Sequence, residues 1–456
     1  MKTNSILTIL QQSEYDLKYF QRWYKRRKEE NFQPKAGPPL AEKPEKLTTK
    51  LRLIKTFYSL LFIFPVLIRI KLILLIIKPV EFLIRFVIYF LANSKLFFLK
   101  ILGLKVVAIA GSYGKTSVKH IMSNSLRKQT PTLATAKSIN TPLGIALTIL
   151  TKLKVKHKLF IVELGEHKRG DIRQLCQLVR PQFGILTPIG RQHLERMESL
   201  KNIVKTFSEL LEYFNFDKNK LLIADENHKY FEKHKLHYYG KEKKLKNKDQ
   251  KNFYSLFFIL SARVSRSGTE FKVGSHDKKT KMIFSPLYGE HQAANTLPTF
   301  WLTNKLNLST QKLIAAIAQL PYIPHRHQPF FAANDVLILD NGYNSNPDSV
   351  KSSLKLINQL NPTHRIIITP GFLELGKESE KIHKEFGKTL AKQIDYLGLL
   401  DFPDQANIIK GFLKTGGKKS QIFTGNTQEE ILNKLKPKII KGSVILFENG
   451  VNELYR

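Results

Sequence analysis

Residues 106–117 read VVAIAGSYGKTS, an apolar run that breaks into Gly111-Ser112-Tyr113-Gly114-Lys115-Thr116-Ser117. This is a strand running into a phosphate-binding loop, and it constrains the fold and the ligand together. The two glycines let the backbone turn tightly, so that its N–H groups can face phosphate oxygens. A helix starting near Thr116 adds its positive end. Lys115 would bring a point charge to the β- and γ-phosphates, and Thr116 a hydroxyl to Mg²⁺. Ile109 stands where the first glycine of GxxxxGK[ST] would be, so the loop has the shorter form GxxGK[ST]. The candidate nucleotide contacts are Gly111, Ser112, Gly114, Lys115, Thr116 and Ser117.

From Val106 onward, apolar strands alternate with helix-like segments. The candidates are Val106–Ala110, Leu159–Leu164, Gly184–Pro188, Lys220–Ala224, Val336–Leu339, Arg365–Thr369, Ile394–Leu399 and Val444–Phe447. This alternation argues for α/β layers with parallel sheets. The lysine-rich segment Lys241–Asn252 reads as a loop or a sheet-edge hairpin, and Pro321-Tyr322-Ile323-Pro324 as an interdomain linker. With 456 residues the chain has room for two or three domains. Its single cysteine, Cys176, excludes intramolecular disulfides and cysteine metal clusters.

A formal charge of +37 favours anionic partners. The lysines run along the whole chain, and no stacking module or recognition-helix pattern accompanies them, so no nucleic-acid partner is expected. Residues 1–50 are basic and proline-rich and read as a flexible arm. No short apolar stretch with a cleavage site opens the sequence, so no secretory signal is expected. Residues 53–99 contain the apolar runs Tyr58–Ile68, Leu72–Ile77 and Phe82–Ala92. Their longest charge-free stretch, Thr56–Ile68, is shorter than the roughly 20 residues a spanning helix needs. Lys71, Lys78, Glu81 and Arg85 fall within one sector of about 80° on a helix. Such a stripe suits helices lying at the cytoplasmic face of a membrane. The alternative is a helical hairpin buried against the protein.

Glu163 closes the apolar run Phe160-Ile161-Val162, and His193 follows Thr187-Pro188-Ile189-Gly190. A carboxylate at the C-terminal edge of a parallel sheet, beside a phosphate loop, is where Mg²⁺ is held. His193 at the same edge is a candidate for metal or phosphate contact.

Eight stretches in order resemble the Mur ligases, closest to their D-alanyl-D-alanine-adding branch. They are AGSYGKTSVK (110–119), SINTPLGIALTIL (138–150), VELGEHKRGDI (162–172), TPIGRQHLERMESL (187–200), YGEHQAANTL (288–297), PHRHQ (324–328), LDNGYNSNPDSV (339–350) and PGFLELGKESEKIHKEFG (370–387). The resemblance implies a central P-loop-type ATPase domain with a mostly parallel sheet and a C-terminal Rossmann-like domain, here preceded by apolar N-terminal helices. The family's usual UDP-binding domain has no counterpart, and the apolar region stands in its place. The expected divisions are 1–50 (arm), 51–102 (membrane-associated helices), 103–324 (ATP-binding domain) and 325–456 (C-terminal ligase domain).

By that resemblance Lys115 holds phosphates, Thr116 and Glu163 a first Mg²⁺, and His193 a second, so that Lys115, Glu163 and His193 carry the catalysis. Asn295 faces the adenine, and Arg326 leads into the third domain and contacts the nucleotide. Asp340, Tyr343, Asn344 and Asn346 belong to a loop that closes over ATP and the incoming amine. The implied reaction activates a carboxylate of a peptidoglycan-precursor peptide as an acyl phosphate, which an amino acid or D-Ala-D-Ala then attacks. The protein is expected to act as a monomer in the cytoplasm, at the membrane's inner face. Three positions depart from the pattern. Phe207 stands where the branch carries a carbamylated lysine, and Lys205 lies about 200° away round the helix, so either Glu209 or another acid compensates or the site holds Mg²⁺ differently. Glu166-His167 replaces a small residue and Asn, and Asn341-Gly342 replaces Asp and Ser. Two other readings compete: a poly-γ-glutamate or folyl-polyglutamate type synthetase, and a membrane-anchored nucleotide-binding scaffold without catalysis.

Overall fold

Two sheets organise residues 66–241, 253–277, 279–343 and 345–450, the part of the chain that this computed structural model describes. The basic arm, residues 51–65, residues 242–252 of the lysine-rich segment and Asn344 lie outside it. Helix α1, Val66–Ile101, precedes the sheets and runs through Pro79. The charges that divide its sequence into short apolar runs do not end it. Glu81 and Arg85, one turn apart, pair at 2.5 Å, as i,i+4 partners on a helix do. Its last turns bury Ala92, Leu96 and Leu99 on one face. Lys95 Nζ there donates to Leu150 O at 2.8 Å. On the other side Phe90, Phe97, Phe98 and Ile101 are exposed.

The first sheet comprises β1 (Lys105–Ala110), β2 (Thr132–Ala134), β3 (Leu159–Glu163), β4 (Phe183–Leu186), β5 (Leu221–Ala224), β6 (Leu236–Lys241), β7 (Phe253–Ser265), β8 (Gly268–Ser275) and β9 (Thr280–Ser285). Their spatial order is β2-β3-β1-β4-β5-β6-β7-β8-β9. Pairing is parallel from β2 to β7 and antiparallel through β8 and β9. In β1 every residue after Lys105 is buried, because helices cover both faces of a parallel sheet and leave its central strands no solvent side. Helices α2 (Lys115–Leu126), α3 (Asp171–Val179), α4 (Leu200–Tyr213) and α5 (Glu290–Lys305) supply that cover. Val107 and Ile109 of β1, Val118 and Ile121 of α2, and Leu297 and Trp301 of α5 share one core. Each such side chain contributes about 1.5–3 kcal/mol on burial. Strands β6 and β7 flank the lysine-rich segment but pair in parallel, a pairing that a hairpin turn does not make.

Residues 321–323, between the sheets, carry neither helix nor strand, and Ile323 is buried. The second sheet comprises β10 (Gln328–Ala332), β11 (Val336–Asn341), β12 (Arg365–Thr369), β13 (Tyr396–Leu400), β14 (Ile422–Gly425) and β15 (Val444–Glu448), ordered β10-β11-β15-β12-β13-β14. Only β10 runs antiparallel to its neighbour. Helix α6, Val350–Gln359, follows β11. Both sheets and the end of α1 belong to one compact unit, Tyr89–Gly450.

Candidate active site

Register brings the functional loops to one edge. Ile109 lies opposite Glu163 in β3, and Ala110 opposite Leu186 in β4, so the segments after β1, β3 and β4 leave the sheet together. Gly111 and Gly114 have φ of 134° and 85°, where L side chains are strained. A Cβ on Gly111 would lie 2.1 Å from Thr187 Oγ1, and one on Gly114 would lie 3.2 Å from Asn295 Oδ1. The loop is thus closed against Thr187 and bordered by Asn295. Ser112 N donates to Pro188 O at 3.0 Å and Ser112 Oγ to Gly190 O at 3.1 Å, which ties it to the segment after β4. Helix α2 starts at Lys115 with no side-chain cap on its first turn, so its N-terminal N–H groups suit an anion. Ser117 is buried in that turn.

Two buried ion pairs stand side by side at the loop. Lys115 Nζ donates to Gly111 O and pairs with Glu166, 3.0 Å to Oε2 and 3.3 Å to Oε1. Lys119, one turn further along α2, pairs with Glu163 Oε2 at 2.8 Å. Thr116 Oγ1 donates to the same carboxylate at 3.1 and 3.3 Å. Sequence reasoning singled out Lys115, Thr116 and Glu163, of which Thr116 and Glu163 meet directly beside Lys115, but not Lys119. Its position four residues after Lys115, on the same helical face, is the signal that would have found it.

These donors suit a nucleoside triphosphate with a divalent cation. The glycine loop leaves room that a Cβ would fill, Lys115 offers cationic charge, and Thr116 with Glu163 offers the oxygen ligands that Mg²⁺ takes, usually one or two from protein. Among the described residues no three His, Cys, Asp or Glu side chains gather as a metal site. The His193 backbone is left-handed, with φ of 54°, and its Nδ1 meets Glu374 Oε2 of the loop after β12. Burial alone would raise the Glu374 carboxyl, but the hydrogen bond from His193 and the charges of Arg196 and His167 hold it below the usual range. A second bridge joins the sheets nearby. Arg191 meets Asp348 through its backbone N at 2.9 Å and through Nη2 at 3.1 Å. Although burial opposes it, Arg191 lowers the Asp348 carboxyl.

The remaining candidates gather where β11 ends. Tyr343 OH donates to Ser138 Oγ at 2.6 Å, joining this loop to the first sheet's side, and the Arg326 guanidinium lies 4.4 Å from the Tyr343 ring centroid. Asp340 accepts from Gly342 N at 2.8 Å and meets His325 Nδ1 at 2.7 Å. Asn346 is buried, and its Oδ1 accepts from Asp348 N and Ser349 N, so that oxygen shapes the turn into α6. Asn341, which departs from the family pattern, donates to Glu448 Oε2 at 2.9 Å. Ser345 Oγ donates to Glu448 Oε1. Burial raises the Glu448 carboxyl, and these donors only partly offset it. A chain of contacts continues from Ser353 to His327 Nε2 at 2.8 Å and from His327 Nδ1 to His291 Nε2 at 3.1 Å. Burial pushes His291 down to about 4 and His327 well below its usual value, so both rings are neutral links.

Phe207 faces the site after all. It is fully buried, with its ring centroid 6.0 Å from Lys115 Nζ, whereas Lys205 is exposed. Glu209 turns elsewhere: it accepts from Gly170 N at 2.7 Å and Arg173 N at 3.0 Å, capping the start of α3. The acid beside Lys115 is Glu166.

Comparison with known proteins agrees with this layout. Residues 109–302 match the Mur ligase middle domain, and residues 325–448 match the Mur ligase, glutamate ligase domain. The chain is 28% identical over 286 residues to the UDP-N-acetylmuramoyl-tripeptide–D-alanyl-D-alanine ligase of Escherichia coli, covering 62% of this chain and 61% of that one. Against the enzyme of the same name from Bacillus subtilis, identity is 24% over 356 residues, with 77% and 74% covered. The chain spans 61% to 71% of the length of the first three curated relatives it matches. Two solved structures share the fold, each with a TM-score of 0.67. MurF from Acinetobacter baumannii is 20% identical, with 80% of this chain and 77% of that chain covered. The MurF ligase of Thermotoga maritima in complex with ADP is 22% identical, with 80% of each covered.

Proposed function

The chain belongs to the Mur ligase family, and from that premise we propose that it is an ATP-dependent ligase of peptidoglycan-precursor synthesis. It joins a UDP-muramoyl tripeptide, or a close relative of it, to D-alanyl-D-alanine or an amino acid. The observation that carries this reading is the meeting of Thr116 with Glu163 beside Lys115 at the glycine loop, with a loop of the second sheet meeting the first sheet's side through Tyr343 and Ser138. ATP and two further substrates can be held between such loops, where placement lowers the barrier.

In the proposed reaction a carboxylate oxygen of the peptide attacks the γ-phosphorus and ADP leaves, giving an acyl phosphate. The amine then attacks the acyl carbon and loses a proton, and inorganic phosphate departs from the tetrahedral intermediate. Lys115 neutralises phosphate charge in the first step. Mg²⁺, held by Thr116 and Glu163, supplies further neutralisation when bound. Gly111, Ser112, Gly114 and Ser117 line the phosphates and Asn295 the base. Arg326, Asp340, Tyr343 and Asn346 form the closing side, to which the family resemblance also assigns Asn344, and His193 acts with Glu374 at the seam. Domain limits at 103–324 and 325–456 belong to this proposal. Phosphate release from ATP should require both a UDP-muramoyl peptide and an amine, and should disappear in Lys115→Ala. Nucleotide binding without acceptor-dependent release would instead support the scaffold reading.

We also infer that residues 51–100 bring a monomer to the cytoplasmic face of a membrane. Pro79–Ile101 is long and apolar enough to cross one, with 17% of its most apolar window buried. Exposed Lys152, Lys154, Lys156 and Lys158 lie in the loop that touches the end of α1, where Lys158 Nζ donates to Leu102 O at 3.2 Å. Exposed aromatic side chains beside clustered lysines suit anionic headgroups. Co-sedimentation with anionic vesicles should be lost when Phe82, Phe86 and Phe90, all exposed, become Ser. Unchanged sedimentation would count against the membrane.

A further inference from the structure

Lys115 brings its ammonium to the phosphate loop, and its donors are already in use. They meet Gly111 O and both oxygens of Glu166. Glu166 is 4% exposed, so this is a buried pair and not a solvated one. Lys119 is engaged by Glu163 at 2.8 Å, and Phe207, whose ring centroid lies 6.0 Å from the ammonium, brings no charge. An ammonium has three hydrogens to donate and accepts nothing. A phosphate that takes Lys115 must therefore displace Gly111 O or an oxygen of Glu166, and only Glu166 competes with it as an anion.

We propose that Glu166 is a resident anion of the phosphate loop: it pairs with Lys115 in the free protein, yields it when nucleotide binds, and thereby sets nucleotide affinity. The inference rests on the reading of the loop as an ATP site and adds a positioning residue to it. Without Glu166 the ammonium would be a buried charge with only a carbonyl oxygen for a partner, a costly state. With it, the empty site is neutral and the lysine is held at the mouth of the loop. The same pairing competes with the ligand. Apparent affinity is the intrinsic affinity multiplied by the fraction of molecules in which Lys115 is free, and more highly charged polyphosphates displace the carboxylate more readily.

The test is titration calorimetry on the full chain with ADP and with a non-hydrolysable ATP analogue, in Mg²⁺. It compares the parent with Glu166→Gln, and repeats the pair in a Lys115→Ala background. Thermal melting reports folding, and Glu166→Ala serves, with the same expectation, if Glu166→Gln does not fold. Glu166→Gln should bind about tenfold more tightly, as expected if about one parent molecule in ten has Lys115 free. That gain should vanish in Lys115→Ala, since the carboxylate acts through the ammonium. A merely structural role does not raise affinity. Weaker or unchanged binding in Glu166→Gln, or a gain that survives loss of Lys115, overturns the proposal while leaving the ATP reading intact. Absence of nucleotide binding in the parent and in every variant overturns both.

Discussion

Asn341→Asp exchanges an amide for a carboxylate of the same shape at a position 7% exposed. The amide donates to Glu448 Oε2 at 2.9 Å, and Glu448 is itself fully buried. Two ionised carboxylates at that separation repel by about 6 kcal/mol at an effective dielectric of about 20. The pair escapes by keeping one proton, which restores a donor between the two groups. Holding that proton against solution costs about 1.4 kcal/mol for each pH unit above a carboxyl's ordinary pKa of about 4.5. The penalty is therefore at most about 5 kcal/mol at pH 8 and about 1.4 kcal/mol at pH 5.5. The sign follows from linkage. The shared proton gives the variant a folded-state pKa above the unfolded one, so its stability is fully present below about pH 4 and is lost as pH rises through the folded value. Urea unfolding followed by circular dichroism, with parent and variant at pH 5.5 and 8, measures this. A deficit of equal size at both pH values would refute the reasoning, as would a variant as stable as the parent at pH 8.

Gly111→Ala puts a Cβ 2.1 Å from Thr187 Oγ1 and 2.7 Å from Thr187 O, so ADP affinity by calorimetry should fall at least tenfold; an unchanged value would show that the loop does not contact nucleotide. Asp348→Asn removes a partly exposed bridge worth about 1 kcal/mol after screening. Because the Asp348 carboxyl is lowered on folding, the deficit should be present above about pH 4 and shrink as pH falls through the folded value, which melting midpoints from pH 3 to 8 will show. Glu209→Gln weakens the cap of α3 and should cost about 1 kcal/mol of stability with no change in nucleotide affinity. Weakened nucleotide binding in that variant would place Glu209 in the site.

Much of the fold was legible in short stretches of sequence. The loop at 111–117 and the strands around it declare themselves locally, because a buried parallel strand is apolar throughout and a tight phosphate loop needs glycine. What escaped depends on distant partners. Strands β6 and β9 mix tyrosine, lysine and serine with their apolar residues, whereas the apolar run Leu256-Phe257-Phe258-Ile259-Leu260 of β7 and the alternation Glu270-Phe271-Lys272-Val273 of β8 are local signals of strand. Lys119 and Glu166 each meet their partners across more than 40 residues of chain. Nothing in the residues beside them says which carboxylate will face which ammonium. His193 was legible as a residue of the right edge, but its partner Glu374 comes from the second sheet, which only the packing of the two sheets brings near.

The departures from the family pattern become intelligible when they are taken in spatial pairs. Phe207 removes a charged group from α4, yet Lys115 still meets a buried carboxylate, because Glu166 reaches it from the loop after β3. Asn341 removes an acid from the end of β11, where the fully buried Glu448 already supplies one. In both places one carboxylate serves where two would repel and none would leave a cation or a donor unmet. An unpaired buried charge costs several kcal/mol, so a buried cation needs a carboxylate within reach whichever position carries it. A sequence comparison made position by position records two losses at these places. At Lys115 the folded protein keeps a carboxylate, and under the proposal above that pairing is what a nucleotide phosphate must displace.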